Sequence, residues 1–361
     1  MDKSGGCISQ EDLRAAVNAG VMGEAQATRL ATIAQDRRGL RDALTRDDEP
    51  FEFFSGFAEI FVTVGLCILL AGVIALAALI SSMTGLITLP LFTAGIAWFM
   101  ALYFTLRRRM VLPSILLSLV YGFGILFGTA MLLNNLALSF QGSIMIGAVI
   151  GMFAMAVWYR VFHLPFAMFV FGLCGLVLIH SIFATGSAET YLQNLDQLFD
   201  LTINPGFAFA TLVFGMLAFI GGMGFDMRDR YRLGRYSATG FWLHLLAAPA
   251  MVNTVVYTLL NIGGNTGILL TALAMIIVTL LALIIDRRSF LTAGIVYIAL
   301  VMFWLTSGEG SVSGSITTSL LLLGALITAL GTFWTEMRAR LMRALPDFPG
   351  KHKLPPYQEI S

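Results

Sequence analysis

Four histidines, His163, His180, His244 and His352, and three cysteines, Cys7, Cys67 and Cys174, are the side chains with most scope for metal or nucleophilic chemistry, and they are scattered along the chain. No His-Glu-x-x-His, Gly-x-Ser-x-Gly or phosphate-loop pattern joins them to partners. The cysteine spacing suggests neither a zinc pair nor a disulfide framework, so they read as small apolar residues. His180 could meet Glu189 or Asp196 in a metal site, although a lone histidine near an interface needs no metal to explain it. The expectation is a chain with no catalytic residues, no cofactor and no metal, and hence not an enzyme.

Polar groups of another kind gather in the stretch SATGFWLHLLAAPAMVNTVVYTLL, residues 237–260. At 100° per residue, Trp242, Pro249, Asn253 and Tyr257 fall on one side of a helix, a partly polar stripe around a proline. Such a stripe either glues helices together by hydrogen bonds or lines a solute site near the middle of a membrane. Asp, Glu, Lys and Arg are missing from the interior of every apolar run: Glu59 and Asp226 stand at run ends and Glu309 in a loop. That weakens proton or sodium coupling, and it removes the paired aspartates of an intramembrane aspartic protease.

The elements that must carry these residues follow from composition. With 58% hydrophobic and 12% charged residues among 361, the chain belongs to the membrane class. Apolar runs at about 60–82, 85–106, 111–133, 142–160, 163–185, 206–225, 237–260, 266–285, 289–306 and 315–335 predict an all-α polytopic protein with about ten transmembrane helices. A net charge of +1 gives no support to nucleic-acid binding, and the placement of charge says more than its sum. With the N-terminus inside, the inner segments hold Arg107–Arg109, Arg160, Arg228 to Arg235, Arg287–Arg288 and the basic tail; together with the N-terminal region they account for all 22 lysines and arginines. The five outer loops carry none, which predicts both termini in the cytoplasm.

Residues 1–50 predict a cytosolic helix pair: Ser9 and Asp12 resemble a capping box, Asn18-Ala19-Gly20 a stop, and a second helix runs from about Gly23 to Asp36. Leu13, Val17, Leu30 and Ile33 form a thin apolar stripe, so the pair is expected to dock on the membrane domain or on a protein partner. No cleavable signal peptide is expected, since the first fifty residues are polar. Residues 51–59 form an aromatic elbow. Phe53, Phe54, Phe57 and Phe61 share one helical face as an interfacial anchor in the lipid bilayer, with Glu52 and Glu59 turned to water or to Arg107–Arg109. The membrane domain occupies 60–335 and a cytosolic tail 336–361. In the tail, Met337 to Leu345 could prolong the last helix, and Leu354-Pro355-Pro356-Tyr357 reads as a disordered end. Residues 187–202 suit an amphipathic helix on the outer surface that divides the ten helices five and five.

Gly124 and Gly128 on the third run, and Ser143, Gly147 and Gly151 on the fourth, give small faces that predict close packing of these two helices within one chain. Pro249 is expected to be the proline that breaks an interior helical hydrogen bond, because Pro90, Pro113, Pro165 and Pro205 stand near helix starts.

The head Ile8-Ser9-Gln10-Glu11-Asp12-Leu13, its continuation Ala19 to Gln26, and the first membrane helix from Val64-Gly65-Leu66 to Leu70-Ala71-Gly72-Val73 resemble a family of bacterial multi-pass membrane proteins carrying domain of unknown function 2157. The resemblance covers about the first third of the chain and implies a bacterial inner-membrane location, without an activity. Two functional classes follow: an integral inner-membrane protein that scaffolds or senses without chemistry, or a transporter of a small neutral or amphipathic solute with inverted five-helix halves.

Overall fold

Where water is scarce, backbone polar groups are best satisfied within their own segment, and each of the ten apolar runs forms a helix. The computed structural model describes residues 10–24, 26–31, 57–80, 83–183, 199–203, 205–229, 234–306, 312–355 and 357. The helices are α1 (Gln10–Asn18), α2 (Phe57–Ile80), α3 (Met83–Ala101, continued by a π-helical segment Leu102–Arg107), α4 (Val111–Asn135), α5 (Phe140–Phe162) and α6 (Ala167–Phe183). They continue as α7 (Pro205–Asp226), α8 (Arg235–Asn261), α9 (Gly264–Ile285), α10 (Ser289–Thr306), α11 (Val312–Thr332) and α12 (Trp334–Ala344). No strand occurs among the described residues. Seven helices, α2 to α5 and α7 to α9, are long and apolar enough to cross a membrane, and α11 with α12 makes an eighth if that bent pair is one span. The all-α class follows the sequence expectation.

The chain forms two compact units, one from Phe51–Phe219, the other from Met1–Pro50 with Ile220–Ser361. The boundary falls inside α7 and not at residues 187–202, of which 187–198 lie outside the described residues.

In the first unit α4 is the hub, touching α2, α3, α5 and α6. Its glycines do not face those of α5, as the spacing suggested. A Cβ on Gly124 would meet the Pro90 carbonyl at 2.6 Å and one on Gly128 would meet Leu91 at 2.7 Å, so that face receives α3. Gly147 and Gly151 of α5 instead pack on Leu126 and Ala130 of α4. Because the helix has more than one neighbour, small residues on different faces serve different partners. Pro90 proves to lie inside α3, not near its start, so Pro249 is not alone in interrupting a helix interior. Trp98, Tyr121, Trp158 and Phe162 close this unit's core with ring centroids 4.4–5.5 Å apart.

Phe57 and Phe61 are each 77% exposed on one face of α2, as an anchor requires, while Phe53, Phe54 and Glu52 lie outside the described residues. Glu59 does not turn to water. It is buried, and its two carboxylate oxygens accept the backbone N–H groups of Val111 and Leu112 at 3.2 Å. The carboxylate thus satisfies the donors that open α4, where the helix dipole favours negative charge.

In the second unit α10 touches α8, α9 and α11, and α12 returns to α9. The last apolar helix is not prolonged smoothly: α11 and α12 meet at a 70° bend. Trp334 at the bend is buried, and its indole N–H donates to Asp286 Oδ1 at 2.7 Å. The tail also departs from the expected disorder. Lys351–Lys353 is a 3-10 turn, Leu354 and Pro355 are buried, and Lys351 Nζ donates to the Leu345 carbonyl at 2.8 Å.

The stop after α1 is as read. Gly20 has φ +71°, its N–H donates to Val17 O, and the Val21 N–H donates to Ala16 O, the two bonds of a Schellman finish. Gly23 then opens the next turn, its N–H donating to Gln26 Oε1 at 3.0 Å. Leu13, Val17 and Ala27 are buried, whereas Ser9 and Ile33 lie outside the described residues.

Candidate functional site

Three ionisable side chains that stand apart in sequence meet in the second unit. Asp226 ends α7, His244 lies on α8, and Arg287, 61 positions beyond Asp226, sits in the turn between α9 and α10. His244 Nε2 is 3.0 Å from Asp226 Oδ2, Arg287 Nε donates to the same oxygen at 2.9 Å, and Arg287 Nη2 donates to Asp226 Oδ1 and, at 2.9 Å, to the Ser237 carbonyl. A carboxylate only accepts, so Nε2 is the protonated nitrogen of His244 in this pair. The exposures of His244, Asp226 and Arg287 are 0%, 5% and 7%, so the charges compensate one another out of water.

Two glycines make room for the cluster. A Cβ at Gly222 would lie 2.9 Å from the His244 ring, and one at Gly240 would fall against the Asp226 carboxylate and 3.0 Å from the Gly222 carbonyl. Phe290, itself buried, stands edge-on to His244 with centroids 6.0 Å apart. The arrangement ties two helices to the α9–α10 turn, and every contact just given is between protein groups.

The same turn carries a second set. Asp286 is the left-handed C-cap of α9, with φ +57°. Its Oδ1 accepts from Trp334 and lies 3.9 Å from Arg338 Nε. Arg338 also donates to Leu283 O at 3.1 Å and to Pro355 O at 2.8 Å, which holds the tail on α12. Arg288 stacks over Trp334 at 5.2 Å. Asp286, Trp334, Arg338 and Tyr357 line a cleft of about 650 Å³ whose other wall is Val17, Gly20, Met22 and Glu24 of the N-terminal segment. Neighbouring residues of one turn therefore serve two clusters: Asp286 faces the N-terminal segment, and Arg287 enters the helices.

The expected stripe is elsewhere on α8. Trp242 is buried, Pro249, Asn253 and Tyr257 are half-buried, and none of them lines that cleft. His244 follows Trp242 by two residues, which is 200° around the helix, so the ionic cluster occupies the opposite side. His180 places Nδ1 2.9 Å from Leu176 O and Nε2 2.9 Å from Thr211 Oγ1; Glu189 and Asp196 lie outside the described residues. Among the described residues no group of three His, Cys, Asp or Glu could hold a metal.

Sequence reasoning missed the ionic cluster because each member had a local explanation: Asp226 as a helix end, Arg287 as one of a basic pair, His244 as one of four scattered histidines. The available signal was the small-residue spacing around them, Gly222 before Asp226 and Gly240 before His244. No family model, curated protein or solved structure matches the chain.

Proposed function

We propose that this chain is a multi-pass protein of the bacterial inner membrane, with ten spans, both termini in the cytoplasm and a cytosolic head, acting as a sensor or scaffold without chemistry of its own. The observation that carries this reading is the cleft shared by Val17–Glu24 and Asp286, Trp334 and Arg338. It supports a head seated on the inner ends of the helices, where binding of a partner could shift the Asp286–Arg287 turn and the α7–α8 pair behind it. The confinement of all basic residues to alternate loops supports the topology. Of the three apolar helices beyond the seven, α11 counts with α12 as a bent pair, and α6 and α10 have 17 and 18 residues, the lower end of the roughly 17–25 that a span uses. Similarity of the head and first helix to the family with domain of unknown function 2157 supports the same compartment. Val21, 74% exposed on the head, offers a protein partner an apolar contact.

The test is a short thiol-reactive cross-linker applied to membranes containing the full chain with Met22→Cys and Glu336→Cys, in a background with Cys7, Cys67 and Cys174 changed to Ala. Intramolecular cross-linking is expected, and its loss on adding Val17→Asp would tie it to the docked head. Cross-linking no greater than for a pair placed at Met22 and Asn261 would refute the docking.

A further inference from the structure

The second unit carries another cleft that none of the residues discussed so far explains. Between α9, α10 and α11 runs an apolar groove of about 370 Å³, from Ala272 past Met275 and Val301 to Leu283, Leu330 and Met337. Its volume falls in the roughly 300–1,000 Å³ range of small-molecule sites. Thr279 is the one lining residue with a polar side chain, and its hydroxyl donates back to Met275 O at 2.8 Å, so the wall offers an occupant dispersion contacts alone. Met275 reaches across Gly294 of α10, where any side chain would collide with its thioether, and this fixes the groove wall.

Length and charge select the occupant. From Ala272 to Leu283 α9 rises about 16 Å at 1.5 Å per residue, roughly half of a hydrocarbon core of ~30 Å. That is the depth of one leaflet. The groove ends at Met337 on α12, the helix bent 70° from α11. Arg340, one turn further along and on a neighbouring face, is exposed, while Trp334, Arg338 and Met342 fill the buried face. Arg340 thus follows the groove's last lining residue by about 4.5 Å of helical rise, and on the membrane-spanning reading that end of the groove is the headgroup side.

We infer that this groove binds one acyl chain of an anionic membrane phospholipid, with the phosphate against Arg340. The inference rests on the membrane-spanning reading, and the experiment separates the two. The full chain is placed in nanodiscs of phosphatidylglycerol and phosphatidylcholine carrying, in turn, each lipid with a photoreactive group at mid-chain, and cross-linked residues are mapped. Labelling is expected on Met275 and Val301 in preference to Leu273 and Ile277, which are exposed on the same helix as Met275. Phosphatidylglycerol should exceed phosphatidylcholine about fivefold, the weight of one arginine near an anionic surface. Ala272→Trp and Leu326→Trp, both at half-exposed positions lining the groove, should each abolish groove labelling. Arg340→Glu should remove the headgroup preference and leave the labelling. Equal labelling of groove and control residues, indifference to both tryptophans, or cross-linking of groove residues to a second copy of the chain would overturn the inference. Release of the chain from cell membranes by alkaline carbonate would instead overturn the membrane reading beneath it.

Discussion

At the residue scale, the Asp226, His244 and Arg287 contacts make one strong prediction. Arg287→Ala leaves a buried carboxylate facing only His244, and removing one partner of such a pair costs about 3–5 kcal/mol. Arg288→Ala, at the exposed neighbour, loses only its cation–π contact with Trp334 and should cost about 0.5–1 kcal/mol. Denaturant unfolding of the full chain in detergent checks the contrast, and equal effects would contradict the buried cluster. Arg287→Lys should fall between, because an ammonium cannot reproduce the fork that reaches Asp226 and Ser237 together. None of this was legible from Arg287 itself. Side-chain partners distant in sequence are fixed by helix packing, and one sequence shows only the members.

At the element scale, local rules carried furthest. The ten runs coincide with helices to within a few residues, since apolar length and flanking polarity set both ends, and Gly20 marks the α1 stop as its left-handed preference requires. Rules that need a partner failed. At the 70° bend before α12 Trp334 reaches Asp286, a partner 48 residues away, and Glu59 was read by its neighbours in sequence when its place is at the α4 N-terminus. Glycine packing gives a paired test. Gly124→Ala would press a methyl on the Pro90 carbonyl and Ala94, costing about 1–3 kcal/mol. Gly65→Ala meets nothing within 4 Å and should stabilise α2 by up to about 1 kcal/mol through helix propensity. Unfolding midpoints of both variants measure this, and a neutral Gly124→Ala would deny the close α3–α4 approach.

At the scale of the whole molecule, charge segregation carries the proposed topology, because the basic residues mark alternate loops whatever the helices pack against. Reporter fusions after Ala344 and after each basic loop should all be active on the cytoplasmic side, and fusions at about residues 137, 186 and 308 should be active outside. A single inversion would require a different span count. That Val17 to Glu24 share a cleft with Asp286 and Trp334 was not legible, since the thin stripe of Leu13 and Val17 specifies burial without specifying against what; docking of the head there is the proposal. The measurement that bears most directly on the account is amide hydrogen exchange of residues 13–24 in the full chain in lipid nanodiscs, compared with Asp286→Ala. The account predicts protection of Gly20 and Val21 in the wild type and exchange at least about tenfold faster in the variant, as expected when the charged acceptor that holds Trp334 in the cleft wall, worth roughly 1.5–3 kcal/mol, is lost. Exchange at unprotected rates in both proteins, or protection indifferent to Asp286, would contradict it.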